Sequence, residues 1–522
     1  MSGHAPVAPP VQTEVVVLGA TSAGVCAAVH AAEQGAQVTL LEPGRHVGGM
    51  TSGGLGYTDL GDARVLGGAA ARFRQAVADH YGVAPGRYAG PEPHVAEAIL
   101  TDWLDQAGVT VLLGERLADV EVRERRITAL RTAAGTELRA GVFVDATYEG
   151  DLLAAAGVPT AVGRESRRRY GEQLAGRQEV LPGMHAMPPW ISPFLDDPAG
   201  RTPGPLLPQV KPEPLAEVGA GDGGVMAYGY RACLSQAPDR RPFDRPADYD
   251  EAYWELGRRL FAHWAREGRT VRAGQLLGLT PNLPGGKCDA NSLGPFSLNV
   301  LDGSAWVYPE ATEDQREALR EHHRRHTRGL LHFLSSDPAV PAGVRRELAG
   351  WGWPADEFLD TDGLPHQLYV REARRMVGDL VLTEHDLRHP VPQPDTVALG
   401  SYHLDVREVQ RGWRWLPEHP DPAAIVVTEG YLSVGVPPYP VPYRALVPPE
   451  RLVTNLLAAV CVSASQVAFS SLRMEVQYQM LGQAAGTAAA LAVRTATSVQ
   501  QVDVAELQRR LRADGAVLDL PA

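Results

Sequence analysis

Residues 14–61, EVVVLGATSAGVCAAVHAAEQGAQVTLLEPGRHVGGMTSGGLGYTDLG, restrict the fold more than any other stretch of the chain. Val15–Leu18 is an unbroken apolar run of the length of a buried parallel strand. The turn that follows, Gly19-Ala20-Thr21-Ser22-Ala23-Gly24, differs from G-x-G-x-x-G by Thr21 at its middle glycine. Such a turn brings backbone N–H groups and a helix N-terminus against a diphosphate, and Ala23, Ala27 and Ala28 let the helix lie close to a sheet. A second apolar run, 38–41, ends at Glu42 and Pro43. An acid about 20 residues after the glycines accepts both hydroxyls of an adenosine ribose. The stretch therefore predicts a dinucleotide cradle; the plainer reading is a βαβ unit with a tight turn and no ligand.

The continuation separates the flavin version from the nicotinamide one. His46 to Gly56 resembles the loop by which glutathione-reductase-type flavoproteins follow the pyrophosphate toward the isoalloxazine. Five glycines in the nine residues 48–56 suit a backbone pressed against a flat ring system. FAD is expected over NAD, with Gly49, Met50, Thr51, Gly54 and Leu55 along its path.

The rest of the chain reads as a doubly wound domain with an insertion. Helices are expected at 69–81 and 94–108, then a third parallel strand in VTVLLG, an antiparallel meander over 117–146, and Asp145-Ala146-Thr147 beside the cofactor. Periodicity fails from 160 to 225, where proline and glycine crowd a long covering loop. Trp190 or the Met184/Met187 pair could touch a substrate there, or merely tack the loop down. A strand is expected at 225–235 and a helix at 248–267, with Trp254, Leu260, Phe261 and Trp264 in its core stripe. Lys287, Asp289 and Asn291 in a polar loop are candidates for substrate binding.

EATEDQREALREHHRRHTRGLLHFLSS is a helix opened by a Thr312/Gln315 capping box. His322, His323 and His326 lack the acid of an H-E-x-x-H pattern, so a solvated basic face is expected and no metal. Arg371 and Arg375 stand at helical spacing beside Glu372, forming either a cationic surface or interdomain pairs. In 401–407, strand alternation sends His403, Asp405 and Arg407 to one face, where His403 could act as a base with Asp405 setting its tautomer. A strand at 456–462, a turn at Ser463-Ala464-Ser465 and a helix at 474–493 complete the nucleotide domain. The segment 466–473 and the start of that helix at Met474 are expected at the ribityl chain or pyrimidine edge. A final helix is expected over 503–515.

Bulk properties exclude several classes. A formal net charge of -13 gives no electrostatic case for nucleic acid or an anionic membrane. No apolar run reaches the roughly 20 residues of a membrane span, and the first residues lack the basic and apolar regions of a secretory signal, so a cytoplasmic protein is expected. The 4 cysteines are scattered, without zinc or iron–sulfur spacing, and read as reduced structural thiols.

VVVLGATSAG, VGGMTSGGLG, KCDANSLGPFSLN, WVYPEAT, YVREARRMVG, GSYHLDVR, PYRALVP and CVSASQVAFSSLRME together resemble the FAD-dependent oxidoreductase family whose members often carry a xanthan-lyase-like label. The resemblance implies an α/β fold, a Rossmann-like, glutathione-reductase-type FAD domain in two parts (12–160 and 431–500), and an inserted mixed α+β substrate region (161–430). A C-terminal helix and tail (501–522) follow. Lyase activity conflicts with the cofactor, because β-elimination needs no redox dinucleotide. Two positions depart from the family pattern: Gln466 and Arg407 stand where it has histidines. Gln466 cannot be a general base.

These readings converge on an FAD-dependent dehydrogenase or oxidase of secondary metabolism. It would move hydride from a small polar, sugar-like or secondary-metabolite alcohol or amine to flavin N5, and pass electrons to oxygen or another acceptor. Arg371, Tyr402, His403, Gln466 and Arg473 are expected nearest the ring or substrate. Gly19, Thr21, Ser22, Ala23, Gly24, Glu42, Pro43, Ala146, Ser465, Arg473 and Met474 join the loop residues named above at the cofactor. The alternatives are a single-component monooxygenase using NAD(P)H, and a non-redox lyase or isomerase retaining FAD for structure.

Overall fold

A computed structural model describes residues 9–87, 90–181, 185–416 and 423–519; Met184 of the Met184/Met187 pair lies outside them. Five parallel strands form the central sheet: β1 (Val15–Leu18), β2 (Val38–Glu42), β3 (Thr110–Leu113), β4 (Val142–Asp145) and β5 (Leu456–Ala458), in the order β5-β4-β1-β2-β3. Leu18 at the end of β1 pairs with Leu41 on one side and Asp145 on the other. The last strand comes from the far end of the chain, so residues on either side of the long middle region share one sheet.

The helices follow from small residues and caps. α1 (Ser22–Glu33) is capped by Thr21, whose hydroxyl accepts from Gly24 N. α2 (Gly68–Tyr81) and α3 (Pro93–Ala107) each end on a left-handed glycine, Gly82 and Gly108. α4 (Glu313–Ser336) opens on the Thr312/Gln315 capping box. α5 (Gln466–Leu472) and α6 (Glu475–Thr495) meet at Arg473 and Met474. α6 crosses α1 closely because Gly482 and Gly486 present no side chain to Ala23 and Ala27; a Cβ at either would collide with those carbonyl oxygens. Three antiparallel strands, Leu117–Arg123, Arg126–Thr132 and Glu137–Arg139, form the meander, and Val11–Gln12 adds an edge.

The middle region is built from two-stranded ladders and helices. Ala232–Ser235 pairs with Lys287–Ala290, Leu404–Val406 with Leu432–Val434, and Gln410–Leu416 with Ala423–Glu429. Segment 160–225 has little regular structure, yet Met187, Ile191, Phe194, Leu207 and Val210 are buried, so it packs down as part of the core. Trp254, Leu260, Phe261 and Trp264 are buried as the helical stripe predicts. No helix among the described residues is long and apolar enough to cross a membrane. All four cysteines are free and buried.

Several local expectations are corrected. Residues 370–374 have no regular secondary structure and lead into a short strand at Arg375–Met376, so Arg371 and Arg375 do not share a helical face. Of 401–407 only Leu404–Val406 joins a ladder; Asp405 and both its neighbours are buried, because the strand is covered on both sides. Of 456–462 only Leu456–Ala458 is strand. The face of α4 bearing His323 and His326 is internal: both are buried, and burial drives their pKa down to about 4 and about 3, while His322 contacts Asp302. The Lys287 ammonium sits among Glu92, Asp356 and Glu357. Asp289 is locked in a buried bidentate pair with Arg231.

Candidate functional site: a dinucleotide cleft and a buried arginine cluster

A cleft of about 780 Å³ opens at the C-terminal ends of β1, β2 and β4, within the roughly 300–1,000 Å³ typical of cofactor sites. Gly19, Thr21, Glu42, Pro43 and Thr147 line its sheet side, Arg116 to Ala118 the meander side, and Arg316, Arg320 and Arg324 of α4 the opposite wall. A second cavity of about 210 Å³ shares Thr21, Glu42, His366 and Gln367 and reaches His46 and Gly49.

The turn at the sheet end has the geometry a phosphate cradle needs. Gly19 adopts φ +94°, and a Cβ there would stand 2.9 Å from Ala146 O. Thr21 donates to Ala146 O at 2.8 Å while capping α1, so the threonine braces the turn where a middle glycine would leave it open. The Glu42 carboxylate accepts from Ala20 N and Gly44 N, both at 2.8 Å, and burial raises its pKa to about 7.

The glycine loop is tied to the start of α6 through one acid. Buried Glu475 accepts from Ser22 Oγ at 2.5 Å, Thr51 Oγ1 at 2.7 Å and Tyr148 OH at 2.9 Å, and Met50 N donates to Tyr148 OH at 2.9 Å. Ser22, Ala23, Gly24, Met50 and Thr51 are thereby drawn to the N-terminal end of α6. Thr51 and Leu55 line a separate cavity of about 30 Å³ with Phe73 and Gln479. Much of the demand for glycine in this loop comes from protein neighbours: a Cβ on Gly49 would stand 2.5 Å from Tyr148 OH, and one on Gly54 would strike Arg231 O.

Beyond α6 lies a buried polar cluster. Arg473 donates to Asp405 Oδ2 at 2.8 Å and to Tyr369 OH at 3.2 Å. The Arg371 guanidinium lies over the Tyr369 ring, 4.3 Å from its centroid, and donates to Asn299 Oδ1 at 3.0 Å. His403, with 36% of its side chain exposed, places Nε2 3.8 Å from Asp405 Oδ1, and its ring is 4.1 Å from that of Tyr402. Tyr402 and Met474 border a cavity of about 10 Å³, the size of one water. Ser465 and Gln466 bond in an adjoining network: Ser465 Oγ donates to Glu172, and Gln466 Nε2 to Glu372 at 3.1 Å, with Arg375 and Glu165 beside them.

Sequence reading missed His185. It emerges from the long loop, buried, with Nδ1 2.8 Å from Glu408 Oε1 and Nε2 3.4 Å from Arg407 Nη2. Its only signal was a histidine in a proline-rich stretch, which by itself points nowhere.

Residues 14–511 match the sequence profile described as FAD dependent oxidoreductase. The chain belongs to that family. Its cofactor is FAD, and the fold is a mixed α/β FAD-binding fold. Among solved structures, the flavoprotein resembles THI4 of Thermovibrio ammonificans at 20% identity, covering 30% of this chain and 66% of that one with a TM-score of 0.23. L-proline dehydrogenase from P. horikoshii matches at 15% identity over 30% and 59% of the two chains with a TM-score of 0.24. L-amino acid deaminase from Proteus vulgaris matches at 14% over 32% and 55% with a TM-score of 0.23. These matches span less than two thirds of the solved chains. No curated protein sequence matches the flavoprotein.

The residues present fit FAD. The glycine turn, Glu42 and Pro43 line one cleft of about 780 Å³ together with the meander residues Arg116 to Ala118, His366 and Gln367, and the arginines of α4 supply cations for a diphosphate.

Proposed function

We propose that this flavoprotein is a dehydrogenase or oxidase acting on a small polar alcohol or amine. The observation that carries the reading is the buried chain Tyr369, Arg473, Asp405, leading to half-exposed His403 next to the helix end that Glu475 ties to the cradle and glycine loop. When bound, FAD supplies a two-electron acceptor that takes a hydride at N5.

The protein's part is to bind, orient and move one proton. Gly19, Thr21, Ala23 and Gly24 would hold the diphosphate, Glu42 and Pro43 the ribose, and Gly49 to Leu55 with Ala146 the rest of the chain. The N-terminus of α6, with Ser465, Arg473 and Met474 preceding it, would favour negative charge at the ring. His403 would take the hydroxyl or amine proton at Nδ1, the ring nitrogen other than the one facing Asp405, with Asp405 beside Nε2 stabilising the imidazolium. Arg473 fixes Asp405 by its 2.8 Å bond, and Tyr402 packs on the His403 ring. Gln466, in the position where related sequences carry histidine, holds Glu372 instead of a proton. Residues 12–160 and 431–500 would form the FAD domain and 161–430 the substrate region.

The test is an anaerobic titration of the purified holoprotein with a panel of sugar-like and secondary-metabolite alcohols and amines, followed by the flavin spectrum. Bleaching by a panel member without any nicotinamide cofactor is the expected result. Rapid bleaching by NADPH alone would instead establish a monooxygenase, and activity independent of flavin redox state a lyase or isomerase.

A further inference from the structure

Four guanidiniums gather near Tyr369: Arg231, 5.6 Å from the ring centroid, is paired with Asp289, while Arg371, Arg407 and Arg473 have Asp405 and Glu408 beside them. Arg473 is paired with Asp405 at 2.8 Å, and Arg407 Nη2 lies 3.6 Å from Glu408. Arg371 has neither acid. One of its terminal nitrogens donates to Ala227 O and the other to Asn299 Oδ1 at 3.0 Å; Asn299 Nδ2 in turn donates to Glu408 Oε2 at 3.0 Å, so a neutral amide separates Arg371 from the nearest carboxylate. Among the described residues no carboxylate reaches ion-pair distance of Arg371.

This cation is 3% exposed. Burial, and then the like charges of Arg407 and Arg473, bring its pKa down to about 9. A buried charge without a counterion is strongly unfavourable, and the protein has spent its acids on the neighbours. Donors also remain unused: the Nε groups of Arg407 and Arg473 are buried without a partner. The Tyr369 ring covers one face of the Arg371 guanidinium; its Nη1 and Nη2 each spend one N–H on Ala227 O and Asn299 Oδ1 and keep a second in the same plane for a ligand. A planar anion with two oxygens matches such a pair, whereas a hydroxyl does not.

We infer that the substrate carries a carboxylate, and that Arg371, flanked by Arg407 and Arg473, receives it while the hydroxyl or amino group faces His403. This rests on the oxidation proposed above and narrows its substrate to a small hydroxy or amino acid. Reduced flavin is the other possible source of a planar anion at this place, and the two are separable by experiment.

The probe is benzoate, titrated into the oxidised holoprotein and followed by the flavin absorption spectrum, with neutral benzamide as the control. Wild type shows a saturable perturbation with benzoate and none with benzamide. Arg371→Met weakens benzoate at least tenfold, and Arg371→Lys, which keeps the charge and loses the fork, also weakens it. No saturable benzoate effect on wild type, or an equal effect of benzamide, overturns the inference without reference to any variant. So does an Arg371→Met holoprotein that binds benzoate as before while its flavin reduction potential falls, because Arg371 then serves the reduced flavin. Benzoate binding in a protein whose flavin no panel compound reduces defeats the dehydrogenase reading and leaves the anion subsite standing. Reduction by neutral alcohols with no benzoate effect does the reverse.

Discussion

Gly482 of α6 lies directly on the Ala23 carbonyl of α1, with no room for even a methyl group between them. The helix that follows the glycine turn and the helix that follows Arg473 and Met474 are thus held at backbone contact. Gly482→Ala forces them apart and should destabilise the protein by about 1–3 kcal/mol, as overpacking of a tight core does. Urea unfolding of the variant measures it, and FAD retention on desalting should fall with it because Ser22 and Glu475 separate.

Thr21 gives a second prediction. It caps α1 and bonds Ala146 O at 2.8 Å, so Thr21→Ala removes both and should cost about 1 kcal/mol. The brace on the turn is lost with it, so FAD retention on desalting should fall as well. A stability equal to wild type would show that the cap carries nothing.

His46, in the glycine loop, is placed to make stability depend on pH. Its ring contacts Glu97 at 3.0 Å and Asp360 at 2.9 Å, and stacks on His366 with centroids 4.0 Å apart. Hydrogen bonding to Glu97 leads the causes that raise its pKa from 6.5 to about 9, despite partial burial. Since the folded value lies above the unfolded one, the contribution is complete below about pH 6.5 and is lost as pH rises through 9. Tm should decline across that window, and His46→Gln should flatten the decline.

His403→Asn should slow anaerobic flavin reduction by about 10²–10⁴, the usual worth of a positioned base. Asp405→Asn should slow it too and shift the pH profile of reduction. Unchanged reduction in His403→Asn would remove that residue from the mechanism.

Lys287 is surrounded by Glu92, Asp356 and Glu357, with Glu357 fully buried. Lys287→Met leaves Glu357 to His94 alone, whose ring stands 2.7 Å from it, and takes the ammonium from Glu92 and Asp356; it should cost about 3 kcal/mol, read by thermal melting. Benzoate binding at the arginine cluster, whose guanidiniums make no ion pair with Lys287's acids, measured on the folded fraction, should be retained.

The cradle was legible because its parts are neighbours in sequence: a glycine with φ +94°, a cap at Thr21 and an acid at Glu42 are all fixed by local backbone requirements. The core stripe of Trp254 and Phe261 was legible for the same reason. Segment 369–376 was not. Arginines four apart suit a helix, but Arg371, Glu372 and Arg375 are each claimed by partners far along the chain, and those contacts keep the segment out of a helix. Asp289 and Lys287 looked like free polar groups because their counterions, Arg231 and Glu357, are remote in sequence. His185 was invisible for that reason too, since its distance of 222 residues from Arg407 leaves no periodic trace.

The fifth strand of the central sheet, β5, comes from the other end of the molecule. During synthesis β1 to β4 leave the ribosome first, and at about 5–20 residues per second the middle of the chain takes many seconds to follow. Throughout that interval the outer edge of β4 is unpaired and α1 has no α6 to cover its alanine face. The newborn chain therefore exposes a sticky sheet edge until β5 has emerged. Production of this flavoprotein should accordingly respond more strongly to chaperone supply and slow translation than to added cofactor.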